Sequence, residues 1–412
     1  MGSFATPLSG LTAAQNQLQS VSNNLANIDT DGFKDQTLTF SDIFSQAGAT
    51  NGSGDPLQTG SGVTVSSTDS NFTEGNLNAT GTASNMALSG NGFFVTQGTG
   101  GLNDYTRSGD FATNNAGQLV TPNGEMLLGY PAVGGVVNTA AALGPLQVGS
   151  LTSPAVASST IGITANLDSQ AAVGATASSS LSIYDSLGAS HALSVSYTKT
   201  AANTWDYTVT VPSADIAGGT GTTTTVGSGT LNFSNAGLLS SISNAVPISI
   251  PTLADGAASP LTLTGPFGPA ANPTITQTAS ASATSATTTD GIASGTLASY
   301  SVEADGTIQG TFSSGNTLAL GQVAVASFAN VQGLTNVGNN NYQPTAASGS
   351  SVIGLAGTGG RATIVGGSVE QSNVNIATEF AKLIVAQQAY SANAKSVTAF
   401  NQESQATLAM LQ

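Results

Sequence analysis

The stretch that decides the fold is LSGLTAAQNQLQSVSNNLANIDTDGFK, residues 8–34. Apolar residues recur in it every seven positions, in two series offset by three, which are the a and d positions of a helical heptad repeat. The predicted seam consists of Leu11, Ala14, Leu18, Val21, Leu25 and Ile28. Gln, Asn and Ser fill the intervening positions instead of Glu and Lys pairs, so we expect a helix that needs a packing partner. Gly32 is the predicted end of this helix.

The same spacing predicts a second helix from about Val374 to Leu411. Its predicted seam consists of Ile376, Phe380, Leu383, Tyr390, Ala394, Val397, Leu408 and Leu411. Polar residues such as Gln387 interrupt the seam. Polar residues at such positions fix the register of paired helices at some cost in stability. Because the two helices flank a β-rich body, we favour coiled-coil-like pairing and assembly over the alternative, burial of both helices in one globular core.

The stretch between the helices is rich in Gly, Ser, Thr and Asn, with short apolar runs separated by turn signals. The predicted fold class is therefore mainly β with terminal α-helices, where the helices pair and an outer β domain is inserted into an inner one. The predicted boundaries are 1–30 and 370–412 for the helical assembly domain, 31–70 for a semi-extended connector, 71–148 and 296–369 for the discontinuous inner β domain, and 149–295 for the outer β domain.

Charge is the most unusual feature of the composition. Only 7% of the residues are charged, and the formal net charge of -15 reflects a shortage of bases. The bases are Lys34, Arg107, Lys199, Arg361, Lys382 and Lys395. Without clustered cations, we expect neither a nucleic-acid partner nor binding to anionic membranes. The sequence also predicts no membrane-spanning segment, and the first thirty residues lack the pattern of a cleaved signal peptide.

Groups suited to catalysis are scarce, because the chain has one histidine and no cysteine. His191 opens an alternating stretch and shares a face with Leu193 and Val195, so we expect a buried or rim position rather than a ligand or a base. Gly357, Gly359 and Gly360 resemble a fragment of a phosphate-binding loop, but no Gly-Lys-Ser/Thr follows. We therefore predict no enzymatic activity, no cofactor and no metal.

Both ends of the sequence resemble the flagellar rod and hook axial proteins. Residues 8–34 are similar to the amino-terminal signature of that family, and residues 367–411 to its carboxy-terminal signature. The signature positions are Asn23, Asn24, Asn27, Gly32, Phe33, Lys34, Ser372, Asn373, Val374, Asn393 and Lys395. A third likeness, from Ser89 to Val95 and from Tyr105 to Phe111, lies within the inner β domain. Family members often carry Arg where this chain has Gln388, so an ion pair there cannot be carried over.

The resemblance implies a structural subunit that forms a hollow, flexible helical tube and transmits torque. The length of the chain and its inserted domain favour the hook over the alternative, the distal rod. The partners implied are other copies of this chain, the distal rod, the hook cap, the hook–filament junction proteins, the hook-length control protein and the flagellar type III export apparatus. The implied location is the cell-surface flagellum, after export without a cleaved signal peptide. A secreted β-rich adhesin or surface-layer protein is a further alternative, but it has no need for paired heptads.

Overall fold

The computed structural model describes residues 4–43, 46–50, 56–98, 100–268 and 272–410. The described chain divides into two compact units. The end unit comprises the described residues within Met1–Gly149, Tyr300–Gly310 and Ala319–Gln412. The inserted unit comprises those within Ser150–Ser299 and Thr311–Leu318. The prediction of a mainly β chain with one helix towards each end is confirmed.

The two α-helices are α1, Ala5–Ala26, and α2, Ile376–Met410. The prediction that Gly32 ends the first helix is wrong, because Asn27 already leaves helical geometry and its side-chain amide donates to the Asn23 carbonyl at 2.9 Å. Gly32 instead has a φ of +72°, and a Cβ on it would lie 2.5 Å from the Ser108 nitrogen. Within the described residues, neither helix combines the length and the apolarity of a membrane span.

Short strands make up most of the remaining regular structure. The strands before the inserted unit are β1 Gln36–Asp42, β2 Gln46–Thr50, β3 Pro56–Thr59, β4 Val63–Ser70, β5 Leu77–Ala79, β6 Met86–Ser89, β7 Phe93–Gln97, β8 Asn103–Thr106, β9 Ala112–Thr113, β10 Leu119–Val120, β11 Met126–Val133, β12 Val136–Val137 and β13 Gly144–Pro145. Those that follow are β14 Thr152–Ser153, β15 Ile161–Asp168, β16 Thr176–Tyr184, β17 Ser190–Ala201, β18 Thr204–Pro212, β19 Thr223–Phe233, β20 Leu239–Val246, β21 Ile248–Ile250, β22 Leu261–Leu263, β23 Ile275–Thr278 and β24 Ala283–Thr289. The last are β25 Gly295–Val302, β26 Thr307–Phe312, β27 Thr317–Ser327, β28 Thr335–Gly338, β29 Asn341–Gln343, β30 Val352–Leu355, β31 Thr363–Gly366 and β32 Ser368–Glu370.

The β part of the end unit is built on a sheet with the strand order β26-β27-β11-β7-β8-β29-β28. Alternate residues of β7 enter two different cores, because successive side chains of a strand point to opposite faces. Phe94 packs edge-on against Phe111 in one core, with ring centroids 5.2 Å apart. Phe93 packs against Phe328 in the other, at 5.7 Å. The apolar run that the sequence places after Asn91-Gly92 is therefore buried on both faces.

The stretch 31–70, for which the sequence predicts a semi-extended connector, is more regular than expected. β1 pairs antiparallel with β4 from Gln36–Ser70 to Asp42–Val63, and the register shifts between Thr39 and Phe40. Threonines and serines alternate with single apolar residues in β1 and in the first half of β4, a pattern that suits a pleated, half-exposed surface. A connector with few apolar residues can therefore still form a β ladder when its backbone N–H and C=O groups form hydrogen bonds with one another.

The inserted unit contains a five-stranded antiparallel sheet, β16-β17-β18-β19-β20, and a three-stranded sheet, β23-β15-β24. In β17 alternate residues are buried, His191 among them with Leu193, as the sequence predicts. Residues 296–299 and 311–318, which the sequence assigns to the inner β domain, lie in the inserted unit. The hydrogen bond from the Ser313 nitrogen to the Thr296 carbonyl, at 2.8 Å, holds the tip of the β26–β27 hairpin there.

Candidate assembly surface

The two helices form an antiparallel pair within the end unit. The Phe4 and Phe400 ring centroids lie 6.0 Å apart, at one end of the pair. Asn24 donates to the Glu379 carboxylate at 3.1 Å, at the other end. Between these points the helices approach closely, because a Cβ added to Gly10 would lie 2.9 Å from the side-chain amide of Asn393. The two helices therefore pack against each other, and α2 is the packing partner that the sequence predicts for α1.

The predicted seam of α1 faces inwards. Ala14 and Val21 are buried. Leu11, Leu18 and Leu25 are partly buried, as is Ile28 in the turn that follows the helix.

The predicted seam of α2 is divided between two environments. Leu383, Ala394 and Val397 are partly buried. Ile376, Phe380, Tyr390 and Leu408 are exposed, and Leu411 lies outside the described residues.

A different row of α2 faces α1. Glu379 and Ala386 are buried, and Asn393 and Phe400 continue the same seven-residue spacing as partly buried residues. A search for apolar periodicity misses this row because half of its members are polar. The signal that could have found it is a heptad in which Glu379 and Asn393 occupy the same position as Ala386 and Phe400.

Asn24 joins the two ends of the chain through its side chain. Its amide donates to Asp35 Oδ1 at 2.5 Å, to the Gln36 carbonyl at 2.9 Å and to Glu379 Oε2, while its carbonyl oxygen accepts from the Gln36 nitrogen at 3.0 Å. A buried polar side chain is stabilising only when its hydrogen-bonding groups have partners, and here they do. Glu379 in turn accepts from Lys382 at 2.6 Å.

Lys34 and Glu370 form a buried ion pair between the two signature segments. Lys34 Nζ lies 2.5 Å from Glu370 Oε1, and both side chains are completely inaccessible. Lys34 also donates to the Thr73 carbonyl at 2.8 Å, and Arg107 Nε lies 3.4 Å from Glu370 Oε2. Burial lowers the pKa of Lys34, while the Glu370 carboxylate opposes that shift. Residues from four separate parts of the sequence meet at this one point.

Two further signature residues, Asn373 and Ser372, form hydrogen bonds between their side chains and the backbone. Asn373 Oδ1 accepts from the Asp35 nitrogen at 2.8 Å, and its amide donates to the Asn71 carbonyl at 2.7 Å. Ser372 Oγ accepts from the nitrogen of Val374, which is buried. The other signature residues have mixed environments: Phe33 is buried, Asn27 partly buried, and Asn23 and Lys395 exposed.

An apolar row on α2 stays exposed in the single chain. Ile376 is 52% exposed, Phe380 48% and Ile384 53%. Their four-residue spacing places them on one face beside the inward row, since each residue turns the helix by about 100°. All of residues 401–410 are exposed as well. The helix pair therefore presents apolar surface that its own chain does not cover.

Four family models match the chain in order. The description "Flagella basal body rod protein" matches residues 4–34, and "Flagellar hook protein FlgE/F/G D1 domain" matches 87–169. "Flagellar basal body protein FlaE D2 domain" matches 152–292, and "Flagellar basal body rod FlgEFG protein C-terminal" matches 365–410.

Curated relatives match over almost the whole length. The flagellar hook protein FlgE of Escherichia coli (strain K12) is 33% identical over 96% of this chain and 96% of its own. That of Salmonella typhimurium is 32% identical with the same coverage of both chains. The crystal structure of Helicobacter pylori flagellar hook protein FlgE2 is 16% identical, covers 69% of this chain and 98% of its own, and has a TM-score of 0.47. The identity and coverage of the curated relatives show that the chain belongs to the flagellar hook protein FlgE family.

Proposed function

We propose that this structural hook subunit assembles through the exposed apolar row of α2, defined by Ile376, Phe380 and Ile384. The exposure of this row in the single chain is the observation that carries the proposal. Stacking of identical subunits would remove it from water, which contributes about 25 cal/mol per Å² of apolar surface buried. The paired helices would then form the inner wall of a hollow tube.

The inserted unit, in this proposal, makes the more adaptable contacts between subunits. A hook bends while it transmits torque, so outer contacts must exchange without detachment of the subunit. Few of the residues carry charge, and long-lived salt bridges between copies are therefore few. We propose residues 149–295 as the main segment of the outer domain, and residues 296–299 and 311–318 lie in the same compact unit.

Membership of the family supports a polymer of identical subunits in the flagellum at the cell surface. We propose that the distal rod, the hook cap, the hook–filament junction proteins, the hook-length control protein and the type III export apparatus are the partners at successive stages. We also propose, on the family resemblance of both ends of the chain, that export proceeds without a cleaved signal peptide.

The test is an assembly assay on variants of the exposed row. Phe380→Glu and Ile384→Glu place a carboxylate in the proposed interface, so we expect both to abolish polymers seen by electron microscopy while the subunit keeps its fold by circular dichroism. Thr378→Glu is the matched control, because Thr378 is exposed in the first turn of the same helix and lies about 200° around the axis from Phe380. Normal tubes from Phe380→Glu would contradict the proposal.

A further inference from the structure

Four polar side chains from separate parts of the sequence converge in the inserted unit. Asp185 follows β16, His191 lies in β17, Asp215 follows β18, and Asp255 lies between β21 and β22. The Asp185 side chain is completely inaccessible, and its Oδ1 accepts from the nitrogens of Leu187 at 2.8 Å and Ala189 at 2.9 Å. One carboxylate of the group is therefore fixed in place by the β16–β17 turn.

The imidazole lies at the centre of the group. His191 Nε2 is 3.0 Å from Asp185 Oδ2 and 4.0 Å from Asp255 Oδ2. Its Nδ1 is 3.1 Å from Asp215 Oδ2, but the alignment of the two groups is too poor for a hydrogen bond. The His191 side chain is only 7% exposed. The buried Nδ1 thus faces the Asp215 carboxylate without a hydrogen bond, whereas Nε2 is hydrogen-bonded to Asp185.

The charge of the group is not balanced by the protein. The six lysines and arginines of the chain all lie in the described residues, and their ion pairs there are with Glu370 and Glu379. Three carboxylates around one imidazole leave a net charge of about -2 even when the imidazole carries a proton. Uncompensated charge in a partly buried site favours the binding of a cation.

We propose that this group binds one divalent transition-metal ion, with His191 Nε2, Asp185 Oδ2 and Asp255 Oδ2 as ligands. Imidazole nitrogen together with carboxylate oxygen suits Zn²⁺ and similar ions better than Ca²⁺ or Mg²⁺. A tetrahedral Zn²⁺ with ligands at about 2.0–2.2 Å keeps them roughly 3.3–3.6 Å apart. The observed separations of 3.0 and 4.0 Å bracket that range, and the Asp255 side chain, 32% exposed, is free to adjust.

In this proposal Asp215 is a positioning residue that orients the His191 ring. Histidines that bind metals usually interact through their second nitrogen with a carboxylate, which sets the orientation of the ring. Asp215 Oδ2 lies 3.1 Å from Nδ1 without a hydrogen bond, and it would accept the Nδ1 proton once an ion holds the ring at Nε2. The ion would join the β16–β17 turn to the β21–β22 loop, and it would do so within one subunit. The inference is therefore independent of how subunits assemble.

The experiment uses the full chain, stripped with a chelator and then exchanged into chelator-free buffer. Titration with Zn²⁺ in a calorimeter is expected to show one ion per chain, and Co²⁺ is expected to give the visible absorption of a low-symmetry site. We expect Asp255→Asn to weaken Zn²⁺ binding at least tenfold, and Asp215→Asn to weaken it about 10–100-fold. Asp206→Asn is the matched control, since Asp206 is an exposed acid of β18 outside the group, and its binding should equal that of the parent chain.

Two results would overturn the proposal. One is weak, non-saturating Zn²⁺ binding that is the same in all four proteins, which would be adventitious binding to surface carboxylates. The other is one-to-one binding that Asp255→Asn and His191→Gln both leave intact. If His191→Gln does not fold, Asp255→Asn decides alone, because its side chain is at the surface and circular dichroism can verify its fold.

Discussion

At the scale of single residues, the junction between the two signature segments depends on buried polar groups. Lys34, Glu370 and Asn24 each bond to parts of the chain that are distant in sequence. A buried charge that loses its partner is costly, whereas a complete network holds one arrangement. The junction therefore specifies how the helix pair is attached to the β part of the end unit.

Replacing Lys34 by methionine tests this role. Lys34→Met removes the closest cation from the buried Glu370 carboxylate and leaves it the Gly75 nitrogen at 2.8 Å and Arg107 Nε at 3.4 Å, so we expect the free energy of unfolding to fall by about 3–5 kcal/mol. Urea unfolding of the unassembled subunit measures it. Lys395→Met is the control, since Lys395 is exposed, and its effect should stay within about 0.5 kcal/mol. Equal stabilities of the two variants would show that the ion pair contributes nothing.

Asp31 gives a prediction with a pH dependence. Burial, and to a lesser degree the charge of Asp110, raise the pKa of Asp31 above its ordinary value. The folded chain thus takes up this proton more readily than the unfolded chain, and the stability that the proton contributes is lost as the pH rises through the raised pKa. Asp31→Asn should therefore stabilise the subunit at pH 7 but not at about pH 3, below the ordinary pKa near 3.9. Thermal unfolding at both pH values measures the difference, and a gain of the same size at both would contradict this account.

Some residues of the site are readable from sequence and some are not. Ala14 and Val21 follow directly from the heptad, since apolar residues at helical spacing are normally buried. Glu379 is not predicted, and Asn393 is named only through the family resemblance, because the burial of both depends on partners in α1. His191 was placed correctly in its strand, but its three carboxylates come from loops that only the folded chain brings together.

At the scale of elements, the helix pair combines an inward row with an outward one. The heptad spacing predicted both helices and their pairing, but it could not assign the faces of α2, because apolar residues lie on more than one side of that helix. The strands β17 and β18 of the inserted unit can be predicted from the strict alternation of apolar and polar residues. The β1–β4 ladder could not be predicted, because Thr and Ser carry little signal of burial.

Substitutions at Gly10 test the close approach of the two helices. A Cβ there meets the flexible end of the Asn393 side chain, so Gly10→Ala should be nearly neutral, with the gain in helix propensity offsetting the contact. Gly10→Val adds two further carbons that Asn393 cannot avoid, and we expect a loss of about 1–3 kcal/mol in urea unfolding. Ser22→Val, at an exposed position of α1, controls for the β-branched side chain. If both valine variants lose the same stability, the helices do not pack as described.

At the scale of the whole molecule, the long segment of the inserted unit begins and ends at one strand pair. Ser153 in β14 pairs with Gly295 in β25, so the two Cα atoms are about 5 Å apart. The two ends of the segment 154–294 therefore lie close together. The composition alone indicated an insertion, but the pairing that closes it depends on residues far apart in sequence.

Excision of the inserted unit tests the division of labour between the two units. Removing residues 154–294 and joining Ser153 to Gly295 through a short glycine turn should leave tube formation intact, because α1 and α2 are untouched. We expect the curvature of the tubes to change, as measured by electron microscopy. Loss of all assembly, in a protein whose helices are still present by circular dichroism, would refute this division.

The antiparallel arrangement of the helices also determines where added sequence can go. Because Phe4 lies beside Phe400, a peptide fused ahead of residue 4 emerges next to the last turns of α2. α2 runs ten residues, or about 15 Å, beyond Phe400, so a bulky amino-terminal tag would lie beside the exposed last turns of that helix. An internal loop of the inserted unit is the safer site for a label.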